Sequence, residues 1–184
     1  MYKAVMIGGS AGSFQVVVKL LNALNQHYPV PVFLCLHRLK HVRSGFVEAL
    51  SIKSGIPVVE PYDKENIKPG KAYLAPANYH MYIELGNKIA LSTEETVNHS
   101  RPSIDLSFMT AALAYREKLV GIILSGANRD GAYGLKKVKD MGGLCIVQDP
   151  EECEVRTMTE ASLQTTPVDH IMRTEQIIQF LKKI

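Results

Sequence analysis

The sequence predicts a three-layer α/β/α protein built on a mostly parallel, doubly wound (Rossmann-like) sheet, with a small antiparallel hairpin inserted. Three observations carry that prediction. Short apolar runs alternate along the chain with amphipathic stretches of helical period, the plan of strand–helix–strand units. The strand-like runs are apolar throughout instead of alternating, as strands covered on both faces must be. Finally, 184 residues that are 46% apolar can bury one substantial core but divide poorly into two. Residues 1–184 therefore read as a single domain, with no repeat, low-complexity segment or linker to cut it.

The elements follow in order. Residues 4–7 form a first strand that breaks into the turn Gly8-Gly9-Ser10-Ala11-Gly12-Ser13, and a helix over 14–24 sets Val17, Leu20, Leu21 and Leu24 on one face. A second strand covers 30–36, with Pro31 tolerable only near its start. A short helix at 46–52 precedes two brief strands at 58–59 and 72–74. The runs 80–85 and 88–91 flank Gly86-Asn87, a two-residue hairpin turn in which the glycine is expected to take the positive φ. A helix over 103–116 has Ser103 and Asp105 as capping oxygens at its own start. Residues 119–124 make the most strand-like run, followed by a helix over 133–141 that stops at Gly142-Gly143. Strands at 144–147 and 170–172 and a helix from 174 to the end complete the plan.

Composition excludes several classes. With 21 Lys+Arg against 18 Asp+Glu, the net +3 is too small a surplus for a nucleic-acid binder that tracks phosphates. The three cysteines include no C-x-x-C pair; Cys35 and Cys145 lie inside apolar runs, and Cys153 has no activating base beside it, which favours a reducing compartment. No apolar run reaches membrane-spanning length and the start lacks a signal-peptide plan. A cytoplasmic protein without membrane insertion is the expectation.

In open α/β sheets, ligands bind beyond the carboxyl ends of the strands, where the strand order reverses. After the first strand comes Ser10, after the second His37, and after the run 119–124 comes Ser125-Gly126-Ala127-Asn128-Arg129-Asp130-Gly131. One serine, one histidine and one aspartate on loops at the same sheet edge are the set that activates a hydroxyl: the imidazole accepts its proton and the carboxylate fixes the imidazole. Taken singly, each has a plainer explanation. Ser10 suits a helix cap, His37 a strand end and Asp130 a turn. It is their joint placement that favours chemistry.

Gly8-Gly9-Ser10-Ala11-Gly12 also matches the G-x-S-x-G nucleophile elbow of α/β-hydrolases, yet residue 10 leaves no room for the strands that precede that elbow, and the order Ser…His…Asp differs from theirs. A dinucleotide site is the other rival. The fingerprint G-x-G-x-x-G is absent, and His37-Arg38 stands where an acidic residue would hold the ribose; NADP through Arg38 would leave Asp130 unexplained. No G-K-[ST] follows the glycines, so a Walker loop is excluded.

Five ordered segments resemble one known family. Ile7-Gly8-Gly9-Ser10-Ala11-Gly12-Ser13 is similar to the G-x-S-T-G-G turn of the CheB catalytic domain, the chemotaxis protein-glutamate methylesterases, and Leu36-His37 to that family's Gln-His strand end. Residues 69–76 resemble its P-G-x-x-Y-x-A-P segment, Arg101-Pro102-Ser103-Ile104-Asp105 its R-P-S-x-D, and residues 124–132 its L-T-G-M-G-x-D-G-A. The resemblance spans nearly the whole chain.

It implies a hydrolase that removes methyl esters from glutamate side chains on chemoreceptor cytoplasmic helices, as in adaptation, with glutamine deamidation in many members. It needs no metal or cofactor. Ser10 falls at the nucleophile, His37 at the base and Asp130 at the orienting acid. Backbone N–H groups near Ala11 and Ala127 would hold the oxyanion, with Met158 in the segment where the family reads G-M-P. Arg38, Lys40, Arg43 and Arg101 are expected to form a positive rim that steers an acidic substrate helix. The sequence departs from the family at Ala11 (threonine), Ser13 (glycine) and Ala127-Asn128 (Met-Gly). The family's N-terminal phosphoacceptor receiver domain has no counterpart, so a stand-alone domain is expected. The altered turn also admits an alternative: a catalytically degenerate receptor-binding domain.

Overall fold

The computed structural model describes residues 1–37 and 45–184. The first half of the chain forms β1 (Ala4–Gly9), α1 (Phe14–Asn22), β2 (Val32–Leu36), α2 (Phe46–Ser51), β3 (Val58–Val59), β4 (Ala72–Leu74), β5 (His80–Glu84) and β6 (Lys88–Ser92). The second half forms α3 (Ile104–Tyr115), β7 (Leu119–Ile123), α4 (Ala132–Asp140), β8 (Leu144–Gln148), α5 (Thr157–Thr165), β9 (His170–Met172) and α6 (Thr174–Leu181).

Seven strands join in the order β3-β4-β2-β1-β7-β8-β9, every pairing parallel, while β5 and β6 pair antiparallel apart from them. The doubly wound plan is therefore as the apolar runs indicated. From β1 the chain winds first toward β2 and later returns to β7 on the other side, which makes the β1/β7 junction the switch point.

Side chains of successive strand residues point to opposite faces, and each face has its own core. Val5, Ile7, Leu34, Val120, Ile122 and Ile146 pack with Val17, Leu20 and Leu21 of α1 and Ile177 and Leu181 of α6. Met6, Phe33, Cys35, Ile123 and Val147 pack with Phe108 of α3, Leu135 and Val138 of α4 and Met158 of α5. The hairpin joins this second core through Met81, Ile83 and Ile89, so it covers α3 instead of extending the sheet. Burying each such aliphatic side chain is worth about 1.5–3 kcal/mol. Cys35 and Cys145 are buried as expected, and Cys153 is half-buried.

Four local expectations are corrected. The hairpin loop has three residues between Glu84 and Lys88, and the positive φ (59°) falls on Asn87, not Gly86; the Asn87 N–H donates to Glu84 O at 3.1 Å. α1 ends two residues early because its last turn tightens, with Leu24 N–H donating to Leu21 O at 3.2 Å. β2 starts after Pro31, which has no N–H for a ladder. Finally, α5 was not expected. Its sequence TMTEASLQT buries two polar residues (Thr159 and Ser162) beside Met158 and Ala161, so no apolar stripe announces it.

Candidate active site

Three strand ends converge at the switch point. Gly9 of β1 is in register with Leu36 of β2, so Ser10 and His37 leave the sheet side by side. The His37 N–H donates to Gly9 O at 3.1 Å. On the other flank, Leu124 N–H donates to Gly8 O and Ser10 N–H to Ser125 O, each at 2.9 Å. The turn then closes on itself, because the Ser13 hydroxyl and N–H both donate to Ser10 O, at 2.7 and 3.1 Å. Ser13, not Ser10, is the N-cap residue of α1. The Ser10 side chain is thereby left half-exposed and outside the helix.

Gly12 shows why the turn needs its glycine. Its φ is +79°, and a Cβ there would lie 2.6 Å from Glu154 Cβ and 2.7 Å from Ser125 Oγ. Ser125 is fully buried and ties three segments together: its hydroxyl faces Ala11 O at 2.7 Å and Val155 O at 3.0 Å, and accepts from Val155 N–H at 3.0 Å. Its own N–H donates to Gln148 Oε1 at 3.0 Å. Sequence reasoning passed over Ser125, since nothing in the sequence separates a buried knot from an ordinary turn serine.

His37 Nε2 lies 2.8 Å from Asp130 Oδ2, with the imidazole 13% exposed. Its other nitrogen, Nδ1, lies 3.4 Å from Asn128 Nδ2. The Asn128 orientation follows from its oxygen, which accepts Asp130 N–H at 3.0 Å and so turns the NH2 toward the ring. A donor facing Nδ1 and a carboxylate facing Nε2 together define the neutral tautomer protonated on Nε2, with its lone pair on Nδ1. Among the described residues no hydrogen bond links the Ser10 hydroxyl to the ring. Such links in free enzymes commonly tighten only with substrate.

Asp130 is 1% exposed, and every group facing its oxygens is a donor. Oδ2 accepts from His37 and from Ile104 N–H at 2.7 Å; Oδ1 accepts from Asp105 N–H at 3.0 Å, Ser103 Oγ at 3.2 Å and Asn98 Nδ2 at 3.2 Å. The carboxylate thus sits on the first turn of α3, where the helix dipole favours a negative charge. Burial alone would raise the Asp130 carboxyl, but the His37 hydrogen bond and the two α3 amides outweigh it and hold the group below the ordinary range. Behind it, the buried His80 accepts Ser103 N–H on Nδ1 at 3.1 Å and faces Glu95 O through Nε2 at 2.9 Å.

The remaining expected residues fare differently. Ala11, next to Ser10, and Ala127, two residues after Ser125, are both exposed, and among the described residues neither backbone N–H donates to a protein acceptor. Met158 is fully buried, its side chain packed under Gly126 and its N–H donating to Gly126 O at 3.0 Å, so it shapes the loop from below. The Arg101 guanidinium is engaged by the carbonyls of Thr93 and Glu94 at 2.7 and 2.8 Å, and its Nε is buried without a partner. Arg38, Lys40 and Arg43 lie outside the described residues. Ser103 caps α3 as expected, accepting Leu106 N–H at 3.3 Å, whereas Asp105 caps a different helix, α4. Among the described residues no helix is long and apolar enough to cross a membrane.

Comparison with known proteins gives a consistent picture. A family model described as CheB methylesterase matches residues 5–181. A Leptospira interrogans protein, provisionally named a protein-glutamate methylesterase/protein-glutamine glutaminase, is 39% identical over 183 residues, covering 100% of this chain and 95% of that protein. A Geobacter metallireducens protein-glutamate methylesterase/protein-glutamine glutaminase is 33% identical over 99% of this chain but only 53% of its own length. The crystal structure of the Thermotoga maritima CheB methylesterase catalytic domain superposes with a TM-score of 0.93 at 28% identity, covering 100% of this chain and 98% of that one.

Proposed function

The chain belongs to the CheB methylesterase family, and from that premise we propose that residues 1–184 are one catalytic domain hydrolysing glutamate methyl esters on chemoreceptor cytoplasmic helices. Ser10 is the nucleophile, His37 the base and Asp130 the acid that orients it. The observation that carries this reading is the 2.8 Å contact between His37 Nε2 and Asp130 Oδ2, directly beside the strand end that presents Ser10.

The reaction runs in two balanced halves. Ser10 Oγ attacks the ester carbonyl carbon while its proton passes to His37 Nδ1, the nitrogen turned away from Asp130. The oxyanion develops next to the free N–H groups of Ala11 and Ala127. Collapse breaks the carbon–methoxy bond, and Nδ1 returns the proton to the leaving methanol. Water then repeats the sequence on the acyl-enzyme, releasing the glutamate carboxylate and restoring Ser10. Asp130 stays ionised throughout and stabilises the imidazolium. With glutamine in place of the ester, the same steps expel ammonia. The reading places the enzyme in the cytoplasm, where the substrate helices are.

Methanol release from a methyl-esterified receptor fragment tests it. Wild-type protein is expected to release methanol and Ser10→Ala to release none while still binding the fragment. Unchanged release by Ser10→Ala would remove the nucleophile. One observation favours a second reading, a receptor-binding domain without turnover: Asn128 holds the base nitrogen that Ser10 needs. That reading expects binding without methanol from the wild type.

A further inference from the structure

Resting on the assignment of His37 and Asp130 above, we infer that Asp105 is a positioning residue of the site, acting through Asp130. The two acids cap each other's helices. Asp130 lies two residues before the first residue of α4 yet accepts the N–H groups of Ile104 and Asp105 in α3. Asp105, in the first turn of α3, sends Oδ1 to the N–H groups of Gly131 and Gly134 at the start of α4, at 2.9 and 2.6 Å. Asp105 therefore grips the peptide that follows Asp130, while Asn128 holds the N–H of Asp130 itself. The backbone of the acid is clamped on both sides.

The side chain is held as well. The Asn98 NH2 has two hydrogens and gives one to each acid, to Asp105 Oδ2 at 2.9 Å and Asp130 Oδ1 at 3.2 Å. Asn98 reaches them from a left-handed backbone, φ +52°, a conformation asparagine tolerates. Gly131, at φ +101°, and Gly134 let α3 and α4 approach this closely: a Cβ on Gly134 would meet Phe108 Cβ at 2.6 Å. A buried carboxylate beside another is a costly way to cap a helix when a serine would serve. What it adds is a rigid frame that leaves Asp130 Oδ2 aimed at one target, His37 Nε2.

Loss of that frame moves the imidazole, not the substrate surface, so the effect belongs on kcat. In Asp105→Asn, the new NH2 would face the Asn98 NH2, and Asn98 can relieve the clash only by withdrawing its donor from Asp130. The experiment compares Asp105→Asn, Asn98→Ala and Ser10→Ala with wild type in methanol release from a methyl-esterified chemoreceptor cytoplasmic fragment. It also follows the downfield proton resonance of the His37–Asp130 hydrogen bond. Expected are a fall in kcat on the order of 10²-fold for Asp105→Asn and about tenfold for Asn98→Ala, an unchanged KM and a displaced or broadened resonance. Folded variants with a lowered Tm but wild-type kcat and resonance would overturn the inference. Should Asp105→Asn fail to fold, Asn98→Ala decides by the same readouts. Inactive Ser10→Ala beside fully active Asp105→Asn sinks this inference alone, whereas active Ser10→Ala sinks the underlying assignment with it.

Discussion

His37 and Asp130 meet at 2.8 Å across a gap of 93 residues, and the aspartate that receives the imidazole is also the anion bound at the head of α3. One carboxylate therefore serves both chemistry and fold. Asp130→Asn keeps the shape but offers an amide in place of a charge, so kcat is expected to fall by about 10³–10⁴-fold. Circular dichroism would confirm that the variant is folded. Methanol release within tenfold of wild type would show that His37 does not depend on this partner.

Acid sensitivity follows from the same group. Asp130 titrates below its unfolded value of about 3.9, so its stabilising contribution is complete above that pH and is lost as pH falls through the lower, folded value. Asp105 has the opposite sign: burial, reinforced by the charge of Asp130, lifts it above the ordinary range despite its amide donors. Its contribution declines as pH rises through that range. Thermal unfolding followed from pH 7 down through the unfolded value to about pH 2 should show a steep acid limb in the wild type and a shallower one in Asp130→Asn. Equal limbs would mean that Asp130 is not ionised in the native state.

Ser125 offers a test away from the reacting atoms. Ser125→Ala removes the buried hydroxyl shared by Ala11 O, Val155 O and Val155 N–H. Leaving those groups unpaired should cost about 1–3 kcal/mol, read from denaturant midpoints. The nucleophile turn should loosen with it, lowering kcat.

Arg101 separates the expectation from the finding. As part of a positive rim it would steer substrate, but its guanidinium is engaged with the carbonyls of Thr93 and Glu94. Arg101→Ala is therefore expected to lower Tm and leave KM nearly unchanged. A raised KM at unchanged Tm would return this residue to the substrate surface.

Packing between α3 and α4 supplies a fifth test. Gly134→Ala introduces a Cβ 2.6 Å from Phe108 Cβ and 3.0 Å from the Asp105 backbone, so the helices must part. Overpacking of this kind costs about 1–3 kcal/mol. Chemical denaturation should register the loss, and activity should fall more than in a surface variant of equal stability, such as one on the exposed Lys136–Asp140 pair.

Much of this was legible in the sequence because parallel strands covered on both faces must be apolar, and because their carboxyl ends are where ligands sit. Those two rules led to Ser10, His37 and Asp130 without any measure of distance. What stayed hidden depends on contacts that the sequence does not encode locally. Asp105 reads as a cap for its own helix, and only the crossing of α3 and α4 shows that it serves the other one. Asn98 lies in a connecting segment with no periodic signal, and its tie to two acids exists only in three dimensions. α5 was missed because it buries threonine and serine where a sequence pattern expects leucine. The Asn87 turn was misread because either residue of a Gly-Asn pair can adopt positive φ.

The parallel pairing of β1 with β7, which sets Ala4 opposite Leu119, has a consequence for how the protein comes into being. Neighbours so remote along the polypeptide can meet only after the whole stretch between them has been synthesised, since closing so long a loop is slow and needs both ends. A nascent chain still short of that strand can own the nucleophile and the base yet have nothing to aim them. Competence in the growing polypeptide should therefore arrive abruptly and late, together with the centre of the sheet.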